Sequence, residues 1–213
     1  MARRKEIGRE KILNVAYKMV MRDGVECLTA RNIAKEGHFS TQPLYLEFSS
    51  MDELRDEVLD KIAENLKGNV LQKEYTGKPL IDMDLSYIDY AKEHENLFRA
   101  MFVDGKLGSK RISNTLIDFG IQKFNEEYED TDYSEEKIMN IVVANWITTI
   151  GIASLIINEI ATFSETQIIN VLTAQINDAI LNDWLSKNKK IPLFDVKDYK
   201  KQKNAIDENT IDE

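Results

Sequence analysis

The chain has 213 residues, 43% of them hydrophobic, enough for a packed core in one or two domains. Charged residues make up 31%, with only 3 Pro and 9 Gly, which favours a soluble helical protein and disfavours an all-β or loop-rich one. The net charge of -9 argues against a nucleic-acid partner until its distribution is read: residues 1–50 hold nine Lys or Arg against six acids, a net of +3, leaving -12 to the remainder.

The N-terminus reads Met-Ala-Arg-Arg-Lys-Glu with no apolar stretch behind it, so no secretory signal is expected. The single Cys excludes an internal disulfide framework and fits a reducing cytosol, hence an expected cytoplasmic location. "REKILNVAYKMVMRDG" places Ile12, Ala16, Met19 and Val20 at helical spacing, and Gly24 can end that helix. "LTARNIAKEG" begins with Thr29 as N-cap, buries Ile33 and Ala34, and stops near Gly37-His38. Ser40 is the expected cap of a third helix in "STQPLYLEFSSMDEL". Burying Leu44 and Phe48, four residues apart, turns Gln42 and Leu46 outward. Ser50 with Glu53 is a capping box, so a fourth helix starts at once and runs to about Asn65-Leu66. Two short helices joined by a turn of about three residues make a helix-turn-helix.

"KEYTGKPLIDMD" reads as a looser connection. Beyond it the spacing predicts helices over about 82–103, 113–130, 134–162 and 165–187. Ser164-Glu-Thr-Gln167 is a second capping box, and Ile169, Leu172, Ile176 and Ile180 follow helical spacing after it. "IMNIVVANWITTIGIASLIIN", 138–158, lacks any charge, yet Asn140, Asn145, Thr148, Thr149, Ser154 and Asn158 suit a buried or interfacial helix better than lipid. The expected fold class is all-α: a helix-turn-helix domain over 1–66, a helical bundle over 67–189, and a charged tail over 190–213 that frays.

Catalysis finds little support. His38 and His94 are the only histidines, with no metal-ligand pairing, and no Gly-rich phosphate loop or Gly-x-Ser-x-Gly elbow occurs. The expectation is a non-enzyme without metal or cofactor. Cys27, between Val25 and Leu28, reads as core and not as a redox sensor.

"LTARNIAKEGHFSTQPLYLEFSSMDELRDEVL" resembles the N-terminal segment of the tetracycline-repressor (TetR) family of bacterial transcription regulators. Thr29, Ile33-Ala34, Ser40, Leu44-Tyr45, Phe48, Ser50 and Leu54 carry the likeness, over about residues 8–62. Further on, "YAKEHENLFRAMF" and "WITTIGIASL" resemble segments that some members have before and within their regulatory core. Four positions depart: His38 where a turn Gly is usual, Leu46 and Glu47 where polar or aromatic residues are common, and Met51 where a phosphate-contacting Lys is frequent.

The resemblance implies a homodimeric DNA-binding regulator released from a double-stranded operator by a small, mostly apolar effector. Thr29, Ser40 and Thr41, at helix N-termini, suit phosphate, although capping explains them equally well. Arg31 and the Arg3-Arg4-Lys5 arm suit phosphate or the minor groove, and solvated charge is the simpler account. Tyr45 suits a phosphate, or is a half-buried filler. Gln42 can pair with adenine and Leu46 can pack on a thymine methyl, while an exposed Leu is ordinary on any surface. Glu47 is expected to pair with a base such as Arg31. Tyr87, Phe98, Phe102, Phe119 and Trp146 are candidate effector-pocket residues, and core residues otherwise. The two last long helices are the expected dimer interface, with Gly151, Ala153 and Ser154 allowing close approach. The alternative function is a helical protein-interaction module that keeps the helix-turn-helix as a scaffold.

Overall fold

The computed structural model describes residues 7–103, 109–129 and 131–182. Among these are nine α-helices and no strand. The Arg3-Arg4-Lys5 arm, the 190–213 tail and the expected end of the last helix at 187 lie outside the described residues.

Four helices build the N-terminal module: α1 (Arg9–Asp23), α2 (Ala30–Glu36), α3 (Gln42–Glu47) and α4 (Met51–Asn65). The expected core face of α1 is buried at Ile12, Ala16, Met19 and Val20. Gly24 ends it at φ 82, a left-handed conformation that glycine adopts without steric cost. Thr29 caps α2 by accepting the Asn32 N–H, and Ile33 and Ala34 turn inward. The α2–α3 turn needs two special residues. His38 sits at φ 54, where the sequence left room for a positive φ. A Cβ on Gly37 would overlap the Phe39 ring where it now lies, so a larger residue would have to displace that ring.

Ser40 does not cap α3. Thr41 precedes the helix in a helical conformation without a side-chain cap bond, and Pro43 in the first turn removes an N–H that a cap would otherwise serve. Ser50 accepts the Glu53 N–H as expected, but Glu53 reaches one residue further back, to the Ser49 N–H at 2.5 Å and the Ser49 hydroxyl at 2.6 Å.

A π-helical turn, Leu66–Val70, extends α4 and tucks Leu66 and Leu71 into the core. Asp82, nearly buried, gathers the Thr76 N–H and hydroxyl and the Gly77 N–H, fixing the loop before α5 (Pro79–Glu93). The segment "PLIDMD", read as loose, is therefore the first turn and a half of a helix opened by Pro79.

The single helix expected over 82–103 is broken. His94 leaves helical geometry at φ -130, ψ 51, its ring against Tyr90 at 4.5 Å, and the chain restarts as α6 (Glu95–Phe98), then a π turn over Arg99–Val103. The bend lets Leu97, Phe98 and Met101 enter the core. α7 (Ser109–Glu127) starts and ends earlier than expected. α8 (Glu135–Ile157) is capped by Ser134 with Glu135 and Glu136 in its first turn, favourable against the helix dipole. α8 stops before the expected 162 because Glu159 takes φ 55. The Glu159 and Ile160 N–H groups then bond back to the Ile156 and Leu155 carbonyls, the pattern of a Schellman stop. Ser164 and Gln167 cap α9 (Glu165–Asn182) reciprocally.

α8 packs against α5, α7 and α9, and α1 packs against α4 and α6, so one apolar core runs through both halves. α8 is long and apolar enough to cross a membrane, yet half of its most apolar window is buried within the chain.

Candidate functional site

Two sets of side chains stand out: an exposed helix face in the N-terminal module and a buried aromatic and polar cluster in the bundle. On α3, Leu44 and Phe48 are buried while Gln42, Tyr45 and Leu46 face solvent. Tyr45 is 64% exposed and Leu46 76%, so Tyr45 is no half-buried filler. Thr29, Arg31, Ser40 and Thr41 are exposed as well, which leaves all seven residues singled out for DNA accessible. Among the described residues no ion pair joins Glu47 to Arg31, against the sequence expectation. The base that reaches Glu47 is Arg9, and it takes the main-chain carbonyl, not the carboxylate.

Sequence reasoning passed over Arg9 as one charge among many. Its guanidinium lies over the Phe48 ring, pairs with Glu53 at 2.5 Å and with Glu57, and donates to the Glu47 carbonyl. Ser49 and Arg9 together hold the Glu53 carboxyl down to about 2, and the two carboxylates raise the Arg9 pKa. The partners lie 38 to 48 residues from Arg9, so no local pattern flags them. α3 has only six residues and could not stand alone as a helix; these contacts fix its end.

In the bundle, four of the five candidate effector residues come together. Tyr87 on α5 lies 6.4 Å from Phe98 and 6.1 Å from Phe102; Phe98 and Phe102 are 5.6 Å apart, and Phe102 meets Trp146 of α8 at 6.1 Å. Phe119 does not join: it is buried on α7, with Lys123 over its ring, and no ring contact to the other four is recorded among the described residues. Tyr87 and Phe98 are buried, whereas Phe102 and Trp146 are half-buried and lead toward the surface.

A polar pair borders this cluster. Asp84, one helical turn before Tyr87 on α5, accepts a 2.7 Å hydrogen bond from Asn145 Nδ2, and both are 2% exposed. Burial pushes the Asp84 carboxyl up to about 7; hydrogen bonds from Asn145 and Thr149 act the other way, and the Glu127 charge adds to the rise. The Thr149 hydroxyl donates to the Asn145 carbonyl. Asn145 Oδ1 and the Tyr87 hydroxyl have no partner. An acid inside the apolar run "LIDMDLSYI" was a legible signal that sequence reading did not use.

Among the described residues no group of three or more His, Cys, Asp or Glu could hold a metal ion. Cys27 is half-buried against the core, and burial pushes its thiol up, away from the reactive thiolate.

No protein-family model matches the sequence, and no curated protein does. In three dimensions the chain is similar to the crystal structure of a TetR-like transcriptional regulator from Rhodococcus sp. RHA1, with a TM-score of 0.51 at 14% identity. The match covers 81% of this chain and 95% of that one, so it takes in the bundle as well as the helix-turn-helix. The N-terminal resemblance and the match in three dimensions agree: this chain has the all-α fold of a TetR-like transcriptional regulator.

Proposed function

We propose that the protein is a TetR-family transcriptional regulator, a cytoplasmic non-enzyme that binds an operator through α3 and is released by a small, mostly apolar effector. The observation that carries this reading is the outward face of α3. A six-residue helix exposes Gln42, Tyr45 and Leu46 while its inner residues and its end are fastened by Leu44, Phe48 and Arg9. Gln42 gives an adenine-type contact, Leu46 packs on a thymine methyl, and Tyr45 reaches a phosphate. Thr29, Arg31, Ser40 and Thr41 add backbone contacts, and Met51, half-buried against the core, adds none.

The division at about residue 66 assigns reading to α1–α4, and effector binding and dimerisation to the bundle. The exposed Ile147, Gly151 and Leu155 recur every four residues on α8, and Val171 and Leu181 are exposed on α9. This apolar face supports a homodimer through the last two helices. Two reading helices about 34 Å apart enter successive major grooves, and the effector favours a dimer whose spacing does not fit.

Fluorescence-anisotropy titration against palindromes found upstream of the coding region, at several salt concentrations, tests the reading. Gln42→Ala and Leu46→Ala should lose discrimination at particular base pairs by about 1–3 kcal/mol, less for Leu. Tyr45→Phe should weaken binding to all sequences alike. If none of the three changes DNA binding, the exposed Tyr45 and Leu46 are a protein-docking patch and the interaction-module reading replaces this one.

A further inference from the structure

The buried polar pair beside the aromatic cluster leaves one acceptor without a partner. Asn145 spends its Nδ2 on Asp84 and leaves Oδ1, an acceptor, without a partner. The Thr149 hydroxyl lies within hydrogen-bond reach of both the Asn145 main-chain carbonyl and the Asp84 carboxyl. Tyr87, 3% exposed, adds an unpartnered hydroxyl that can accept or donate. Asp84 itself offers carboxylate oxygens, and among the described residues no Lys, Arg or His forms an ion pair with it. Tyr87, one helical turn beyond Asp84, meets Phe98 and Phe102, and Phe102 meets Trp146; ring faces are negative. Buried acceptors that lack donors cost stability unless something supplies them.

We infer that the Asp84–Asn145 pair is the polar anchor of an effector subsite, and that the effector is an organic cation: a protonated amine or amidine carried on an aromatic or apolar body. This rests on the regulator reading and deepens it, since a wholly apolar effector would leave Asn145 Oδ1 and the Tyr87 hydroxyl unpaired.

The cationic nitrogen bridges the Asp84 carboxylate and Asn145 Oδ1. The Tyr87 hydroxyl turns its oxygen to the same group, and the body packs among Phe98, Phe102 and Trp146. A buried carboxylate is tolerable when an opposite charge and hydrogen bonds meet it together, and the amine supplies both. Burial and the nearby Glu127 carboxylate, opposed by hydrogen bonds from Asn145 and Thr149, hold the Asp84 carboxyl at about 7, so little stands between its neutral and ionised forms at physiological pH. The π-helical turn Arg99–Val103 carries Phe102, and such turns are frequent at functional sites.

The test is calorimetric titration of the full-length protein with 2-(2-naphthyl)ethylamine and with the uncharged 2-(2-naphthyl)ethanol, for wild type and Asp84→Asn. The expected result is a preference for the amine on the order of tenfold or more, the worth of one desolvated ion pair, falling below about threefold in Asp84→Asn. A smaller wild-type preference overturns the inference. So does a preference that survives in Asp84→Asn, or the binding of neither compound. Should Asp84→Asn not fold, Tyr87→Phe serves in its place: it must reduce the preference at least about twofold, and an unchanged preference overturns the inference. Operator titration of the ligand-free protein is run alongside. Failure there strikes the regulator reading, whereas equal binding of amine and alcohol by a protein that still binds DNA strikes only the cationic subsite.

Discussion

The guanidinium of Arg9 lies 4.2 Å from the centroid of the Phe48 ring. Arg9 opens α1 and Phe48 follows α3 as its C-cap, so this stacked pair joins the first helix of the module to the end of the proposed reading helix. Replacing Arg9 by Ala should cost about 1–2 kcal/mol, from the lost stacking and the hydrogen bond to the Glu47 carbonyl, discounted for partial exposure. Lys should restore little, because a point charge cannot serve Glu53, Glu57 and a carbonyl in one plane. Urea unfolding of the three proteins measures both effects. The depressed Glu53 pKa adds a sign: its contribution is present above the ordinary Glu range and is lost as pH falls from about 4.5 toward 2. Wild type should therefore lose more stability than Arg9→Ala across that acid window.

Asp84 behaves in the opposite sense. Its folded pKa lies above the unfolded 3.8, so the folded state binds the proton more tightly, and stability falls as pH rises from about 4 to 7. Asp84→Asn keeps an acceptor for Asn145 Nδ2 and removes that penalty. The variant should match wild type near pH 4 and exceed it increasingly up to pH 7 and above, by at most about 4 kcal/mol. Melting curves of both proteins across pH 4–8 would show the gap opening; parallel curves would mean that Asp84 is charged and compensated throughout.

Gly120 of α7 faces Val142 of α8. A Cβ there would stand 2.7 Å from Val142 Cγ1, a branched carbon with nowhere to swing. Gly120→Ala should destabilise by about 1–3 kcal/mol despite the better helix propensity of Ala. Adding Val142→Ala should recover part of the loss, a coupling that a double-mutant cycle reads directly.

The exposed Leu155 and Leu181 belong to the face proposed for dimerisation, and Leu181 is 81% exposed. Sedimentation at micromolar concentration should give about twice the chain mass for wild type and the single-chain mass for a Leu155→Glu, Leu181→Glu variant, since a buried unpaired carboxylate opposes association. A wild-type monomer would remove the two-half-site arrangement with it.

What the sequence made legible was local. Thr29, Ser50, Ser164 and Gly24 announce helix ends through the side chain or the conformational freedom of one residue, and each acts where expected, with Glu53 displaced by one residue. The stops at His94 and Glu159 were not legible. Neither residue is Gly or Pro, and both leave the helix because packing and returning hydrogen bonds hold them in sparsely used conformations. The exposed face of α3 could be read from the four-residue spacing of Leu44 and Phe48. The Asp84–Asn145 pair, 61 residues apart in the chain, could not, because only the packing of α5 on α8 brings it together.

α1 has a grip at each end. Near its start Arg9 holds the Glu47 carbonyl. Near its finish Met21 Sδ accepts from the Tyr90 hydroxyl at 3.5 Å, and the Arg22 carbonyl accepts from Asn96 at 3.4 Å. Fifteen helical residues make a strut about 22 Å long, too stiff to let one end move without the other. Asn96 lies two residues before Phe98, so the floor of the aromatic cluster and the heel of α3 are fastened to opposite ends of the same rod.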